Sequence, residues 1–322
     1  MSDISRLASL LLITATVFVV LGLVANIALL SSQRRVSAVA RRKVPARVGA
    51  DGDDVADADD ADDVADATSA DKAGRDATGA VRRSGGLATY ATGFVAIALL
   101  AVTAYLVVRW VKAGHGPFAS GHEFVVAFVW GILVAYLLAE WRFKLRVVSF
   151  AVLPVVAVAL PYSLYGHHMD TAIEPLVPAL QNPLLLMLHV GFAVVSYGAA
   201  AVSFGAAVAY LWHPAWLKID RGRLDELGYK AATITFPTLT VMILIGAVWG
   251  QIAWGRYWAW DPKETAALIT WLLYGAYLHA RVSRGWQGKG AAWLLIVGFG
   301  LIIFTYLSST LLELGGNHSY AG

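Results

Sequence analysis

Long runs of apolar residues, separated by short polar segments, dominate the chain. Eight of these runs are long enough, or nearly so, to cross a bilayer as helices, which takes about 20 residues each. They cover Leu7–Leu30, Leu87–Val108, Phe124–Ala139, Val147–Leu164, Leu184–Trp212, Ala231–Gln251, Pro262–Ala280 and Ala291–Leu312. The pattern predicts an all-α polytopic membrane protein with about eight transmembrane helices.

A polar tract, Ser31–Gly86, separates the first two runs. Its centre repeats aspartate with alanine and valine, a composition with too little apolar surface to fold, so we expect a disordered loop. The aspartates lack the ligand order of an EF-hand, which disfavours a calcium site. The chain thus divides into a first transmembrane helix (1–30), the acidic loop (31–86), a second helix with an outer loop (87–122) and a membrane domain (123–322).

Composition agrees with a membrane protein, because 58% of the residues are hydrophobic and only 15% are charged. An average soluble domain has roughly 25% charged residues. The chain contains no cysteine, which excludes disulfides, zinc–thiolate sites and a redox dithiol of its own. We expect no nucleic-acid partner.

The lysines and arginines predict the orientation of the helices. Of 25 such residues, 20 fall in four predicted loops on one side of the membrane, and the acidic loop is among them. Because positively charged loops stay on the cytoplasmic side, this side is predicted to face inward. Both termini then face outward, as does the segment Trp249–Glu264.

Trp249–Glu264, W-G-Q-I-A-W-G-R-Y-W-A-W-D-P-K-E, is the densest aromatic cluster of the chain. An aromatic belt at the membrane surface explains two or three of its rings, but not a cluster that ends in Asp-Pro-Lys-Glu. Asp261 and Glu264 have the spacing of a capping box, with proline at the first helical position. The sequence predicts a platform of indoles, among them Trp254, Trp258 and Trp260, fused to a helix start and suited to a flat aromatic ligand.

Two histidines share the predicted depth of this platform. His189 lies six residues after Pro183, roughly 9 Å below the outer end of its helix, and His318 follows the last span. Two neutral imidazoles across an aromatic shelf form a bis-histidine haem site. Metal binding without porphyrin is the alternative, although no carboxylate or thiolate cluster supports it.

The remaining histidines are interpreted one by one. His279 lies about 25 Å along its helix from Pro262, near the inner face, and is either an interfacial residue or a ligand. We interpret the others as loop or interfacial residues: His115, His122, His167, His168 and His213.

The aromatic cluster and the histidine segments resemble those of a known family. The stretch W-G-R-Y-W-A-W-D-P-K-E resembles the WWD motif of haem-handling proteins, in the form found in the CcsA/ResC family of system II cytochrome c biogenesis, whose actinobacterial members are often labelled CcsB. The similarity covers roughly Phe124–Gly322. L-H-V-G-F-A-V-V-S-Y, L-H-A-R and G-N-H-S-Y resemble the family's histidine segments, in the right order, around His189, His279 and His318.

The resemblance implies a multi-pass protein of the plasma membrane that carries haem b outward with a ResB-type partner. It implies presentation of that haem for attachment to the Cys-x-x-Cys-His motifs of apocytochrome c, in a pathway whose thioredoxin-like proteins keep thiols reduced. The chain would then be one component of a holocytochrome c synthase, or haem lyase. It implies axial ligation by His189 and His318 and, at the inner site, by His279, with the second inner ligand coming from the partner.

Chemistry assigns roles to the polar residues of the motif. Arg256 is the preferred contact for a haem propionate, because guanidinium pairs well with carboxylates, and Lys263 is the weaker candidate. Asp261 caps its helix, and no residue is assigned a catalytic role. Two other functions stay open: a haem exporter or chaperone without attachment activity, and a b-type haem electron-transfer subunit.

Overall fold

The computed structural model describes residues 3–42, 61–166, 172, 173, 176–214, 217, 219–310, 316 and 318. These residues form eight α-helices and two short 3₁₀-helices, without a strand among them. The α-helices are α1 (Asp3–Arg42), α2 (Ala61–Ala113), α3 (Gly121–Phe143), α4 (Ser149–Tyr165), α5 (Pro183–Trp212), α6 (Arg221–Trp254), α7 (Pro262–Arg284) and α8 (Lys289–Thr310). The prediction of an all-α protein with eight long helices is confirmed.

All of these helices except α7 are long and apolar enough to cross a membrane. Helix α7 has 23 residues, but Lys263 and Glu264 lie in its first turn and Arg281 and Arg284 in its last. Tyrosine and tryptophan in its middle lower its apolar character further. It packs between α6 and α8, and its crossing of the membrane stays a prediction.

Helices α1 and α2 extend into the acidic tract from both sides. The structure continues α1 to Arg42 and begins α2 at Ala61, which differs from the disorder predicted for Ser31–Gly86. The flank of α2 is rich in alanine, the strongest helix former, and each flank adds turns to a helix that already exists, which avoids the cost of nucleation. Residues 43–60, the centre of the tract, lie outside the described part of the chain.

Helix α5 is the centre of the bundle. It packs against α3, α6 and α8, while α1 packs against α2 and α4. One apolar core joins the helices, from Leu12 in α1 to Tyr274 in α7 and Phe299 in α8. Helix α5 therefore has neighbouring helices on most of its circumference. Residues on its different faces contact different helices.

Local signals fix where α5, α6 and α7 start and stop at the end of the bundle that carries Trp249–Glu264. Asn182 caps α5 by accepting a hydrogen bond from the backbone of Leu185 at 3.2 Å. Helix α6 ends at Gly255, which adopts a left-handed conformation with φ +72°. Asp261 and Glu264 form the predicted capping box at the start of α7, which is thereby confirmed. The loop between α6 and α7 is held at both ends.

Candidate functional site

An aromatic cavity lies among the ends of α3, α5, α6, α7 and α8. It encloses about 1010 Å³ when the space open to solvent is counted. Eight aromatic side chains line it: Phe124, Phe128, Tyr197, Trp249, Trp254, Tyr257, Trp258 and Tyr306. His189, His318, Lys263 and Glu264 also face this space. The cavity therefore brings together both predicted outer histidines and two of the three predicted tryptophans.

His189 projects from the second turn of α5 toward α6. Its Nδ1 lies 2.9 Å from the backbone carbonyl oxygen of Met242, which can only accept a hydrogen bond. Nδ1 therefore carries the proton and Nε2 keeps its lone pair. The indole of Trp249 stands against the imidazole at 5.6 Å between ring centroids and 70° between planes. The ring is thus fixed in orientation with one nitrogen available for a ligand.

Gly246 makes this position of His189 possible. A methyl group at residue 246 would lie 2.8 Å from Cε1 and 3.0 Å from Nδ1 of His189, closer than real carbon contacts allow. Met242, Gly246 and Trp249 lie four and three residues apart on α6, so one face of this helix forms the seat of the imidazole.

His318 is anchored by Asp261. Its Nδ1 lies 2.5 Å from Oδ2 of that carboxylate, which also accepts a hydrogen bond from the backbone of Glu264 through Oδ1 at 2.7 Å. Burial acts to raise the pKa of Asp261, but the hydrogen bond and charge of His318 and the helix backbone outweigh it, so this pKa lies below its usual value. An ionised Asp261 directs Nε2 of His318 away from itself, as carboxylate partners do for metal-bound histidines.

Two tryptophans of the motif line the cavity, and a third lies at its rim. Trp254 lies 5.8 Å from the ring of His318, and Trp258 lines the same cavity. The Nε1 atom of Trp258 is buried and has no hydrogen-bond partner among the described residues. Trp260 is 70% exposed, with a left-handed backbone at φ +58°, and stands perpendicular to Trp258 at 5.8 Å. It forms the rim of the site rather than its wall.

The two predicted propionate contacts lie in different places. Arg256 is exposed in the loop between α6 and α7 and is absent from the cavity lining, whereas Lys263 faces the cavity. His279 lies in the last two turns of α7, exposed and remote from the cavity. The structure therefore brings His189 and His318 to one cavity and leaves His279 outside its lining.

Several residues that form the cavity were not identified from the sequence. They are Phe124, Phe128, Tyr197, Met242, Gly246 and Tyr306. Tyr306 donates a hydrogen bond to the backbone of Gly121 at 3.0 Å, which ties α8 to α3 beside the cavity. These residues reach the cavity through contacts between helices, which no pattern within a single helix marks.

Residues 119–315 match the family described as cytochrome C assembly protein. The chain belongs to this family. The matched region begins just before α3 and includes every cavity residue named above except His318. Helices α1 and α2 lie outside it.

Curated relatives of this family member support the assignment at the level of CcsA. The chain is 35% identical over 289 residues to the cytochrome c biogenesis protein CcsA of Synechococcus elongatus, covering 73% of this chain and 88% of that one. It is 34% identical over 305 residues to CcsA of Gloeobacter violaceus, covering 75% and 89%. Membership of the CcsA family is thus confirmed, while the actinobacterial CcsB-type subdivision stays a prediction.

A solved structure, cytochrome c heme lyase CcmF, has the same fold. The TM-score is 0.55 at 19% sequence identity, and the match covers 98% of this chain and 50% of that chain. This family member therefore spans half the length of its structural neighbour. Together with its apolar helices, the family supports a multi-pass membrane protein.

Proposed function

We propose that this protein acts in cytochrome c maturation by delivering haem b to the outer face of the plasma membrane. Together with a ResB-type partner, it presents this haem for covalent attachment to the Cys-x-x-Cys-His motifs of apocytochrome c. The observation that carries the proposal is the pairing of His189 and His318 at one aromatic cavity. The Nδ1 of His189 is engaged by the carbonyl oxygen of Met242, which leaves its Nε2 for iron, and Asp261 holds the imidazole of His318 at the same cavity. The CcsA relatives are named for cytochrome c biogenesis.

The lining of the cavity suits a porphyrin in its chemistry. Its aromatic walls suit a large flat apolar ligand, and binding sites of this kind carry only a few polar groups. Trp254 and Trp258 supply ring surface, and the unpartnered Nε1–H of Trp258 is a donor for a polar atom of the ligand. Lys263 faces the same space and is positioned for a propionate, so we now prefer it to the exposed Arg256.

Attachment consists of two thiol additions. In each, a cysteine sulfur bonds to one carbon of a haem vinyl group and the thiol hydrogen goes to the other, so no oxidant is consumed. The thiols must be reduced, which we assign to thioredoxin-like proteins because this chain has no cysteine. What this chain contributes is placement of the vinyl edge, and orientation of this kind contributes up to about 7–11 kcal/mol to lowering a barrier.

We further propose that His279 holds a second haem near the inner face, with the other axial ligand supplied by the ResB-type partner. Its imidazole is exposed at the end of α7 opposite to the capping box, where a partner can reach it. Haem would pass from this site to the outer cavity. The exposed Trp260 and Tyr257 then lie at the rim where apocytochrome approaches.

The orientation is tested with reporter fusions. A periplasmic-type reporter inserted after Trp260 should be active, and one placed within 51–60 should be inactive, because of the distribution of lysine and arginine. Activity from the acidic tract would reverse the orientation and the direction of transport with it.

The function is tested by co-expression with the partner and an apocytochrome that carries one Cys-x-x-Cys-His motif. We expect covalent haem on the apocytochrome with the native chain, and its loss with His189→Ala or His318→Ala. His115→Ala, outside the cavity, is the control and should retain attachment. Tight haem binding by the native complex without any covalent product would favour the exporter or chaperone. Oxidation of a quinol by the haem, again without product, would favour the electron-transfer subunit.

A further inference from the structure

A second large concavity lies at the opposite end of the bundle, between α3, α5 and α6; we refer to it as the inner groove. It encloses about 1130 Å³ with the space open to its surroundings included. Exposed apolar side chains line it from three helices, among them Leu138 at 58%, Val195 at 49% and Ile234 at 50% exposure. Among the described residues its charged lining is Arg142 and Lys230, so it accepts an apolar ligand with a polar end.

The depth of the groove matches one leaflet of a bilayer. Along α3 its lining extends from Trp130 to Phe143, which at 1.5 Å per residue is about 20 Å. Half of the hydrocarbon core of a bilayer is about 15 Å. At the deep end the backbones of α3 and α5 touch, because a methyl group on Gly198 would lie 2.6 Å from the carbonyl oxygen of Gly131. The floor is therefore continuous, and the groove has room for an extended acyl chain.

The end of the groove at Phe143 carries positive charge. Arg142 and Lys230 both lie against the ring of Phe143, at 5.5 and 5.3 Å from its centroid. Arg223 donates a hydrogen bond to the carbonyl oxygen of Phe143 at 2.8 Å. Glu226 pairs with Lys230 at 2.6 Å, so these three cations and one carboxylate keep an excess of positive charge. One aromatic ring thus gathers cations at the level where lipid headgroups lie.

We propose that the inner groove binds an anionic phospholipid of the inner leaflet. One acyl chain lies between α3, α5 and α6, and the phosphate lies between Arg142 and Lys230. Basic pockets between membrane helices at the cytoplasmic surface bind anionic headgroups for this reason. The lysine and arginine distribution assigns this same end of α3 to the cytoplasmic side.

The bound lipid would also support the outer cavity. Neighbouring residues of α5 face the two sites, since Ala193 and Tyr197 line the cavity while Val194 and Val195 line the groove. Helices α3 and α6 likewise contribute to both. A chain packed between α3 and α6 therefore holds together the three helices that carry Phe128, His189 and Gly246 of the cavity.

The test uses the full chain in detergent micelles, depleted of native lipid. Dioleoyl phosphatidylglycerol and dioleoyl phosphatidylcholine are added separately, and bound lipid is counted by native mass spectrometry. We expect phosphatidylglycerol to bind about 25-fold more tightly, since each cation near an anionic group contributes about fivefold. Brominated phosphatidylglycerol should quench the fluorescence of Trp141, which lines the groove, and a Trp141→Phe variant should lose that fraction of the quenching.

Two double variants test whether Arg142 and Lys230 cause the preference for phosphatidylglycerol. Arg142→Gln with Lys230→Gln should abolish the preference for phosphatidylglycerol, whereas Arg284→Gln with Lys289→Gln removes equal charge outside the groove and should preserve it. Equal binding of both lipids to the native chain would overturn the proposal, as would a preference that survives in the first variant. A mass corresponding to haem that replaces the lipid would assign the groove to haem instead. The assay contains no haem transfer step. The lipid proposal can therefore be refuted while the proposed function stands, and the proposed function can be refuted while the lipid proposal stands.

Discussion

The seat of His189 gives the sharpest test of the outer site, through the variant Gly246→Ala. The added methyl group would lie 2.8 Å from Cε1 of His189. Because carbon atoms pack at about 3.5–4.0 Å, the ring must move by roughly 0.7 Å or more. That movement competes with the hydrogen bond to Met242, worth about 0.5–1.5 kcal/mol, and overpacking costs about 1–3 kcal/mol more. A loss of 1.4 kcal/mol in coordination is tenfold in affinity, so we expect haem affinity at the outer site to fall at least about tenfold.

The measurement is haem content per chain in the purified complex, from a pyridine haemochrome spectrum, with thermal melting beside it. Gly191→Ala is the matched control, because it lies on α5 two residues from His189 and an added methyl there meets nothing within 4 Å. It should leave haem content unchanged. If Gly246→Ala keeps native haem affinity and a native spectrum, the seat does not position His189 and the reasoning is refuted.

Three further outcomes are expected. Asp261→Asn keeps a residue that can cap α7 but removes the charge beside His318, so the protein should accumulate normally and bind outer haem about tenfold more weakly in a titration; unchanged affinity would make the ion pair irrelevant to ligation. Trp258→Ala should lower outer haem occupancy by about tenfold, while Trp286→Ala beyond the other end of α7 should leave it unaltered; equal effects would reduce the cluster to an aromatic belt. His279→Ala should deplete both haems and His318→Ala only the outer one, as resolved by redox titration; a full outer haem in the His279 variant, made from internal supply, would contradict the relay.

Much of the fold is predictable because the determining signals are local. Apolar runs of bilayer length predict the eight helices. The Asp261–Glu264 spacing predicts a capping box that the structure contains. The depth of His189 follows from the helix start at Pro183 and a fixed rise per residue. Each of these inferences needs only neighbours within one helix.

The remaining features depend on contacts between distant helices. Gly246 has no recognisable role within its own helix. Its role depends on the packing of α6 against α5, where the imidazole of His189 fills the space that a side chain at residue 246 would occupy. His122 is interpreted from the sequence as an outer-loop residue, yet it lies in α3 and is 1% exposed, bonded to Tyr105 and to the carbonyl of Ser163. His167 and His168 lie outside the described residues. Pairings between elements leave no periodic trace in a single sequence.

The contact between Asp261 and His318 has a consequence for the timing of biosynthesis. The two residues are 57 positions apart. At about 5–20 residues per second, the ribosome reaches His318 roughly 3–11 s after Asp261, and it makes α8 in between. The platform and His189 are thus complete before the second histidine exists. Under the proposed ligation, haem that reaches a nascent chain meets a single imidazole, so stable loading waits until translation has passed the last membrane helix.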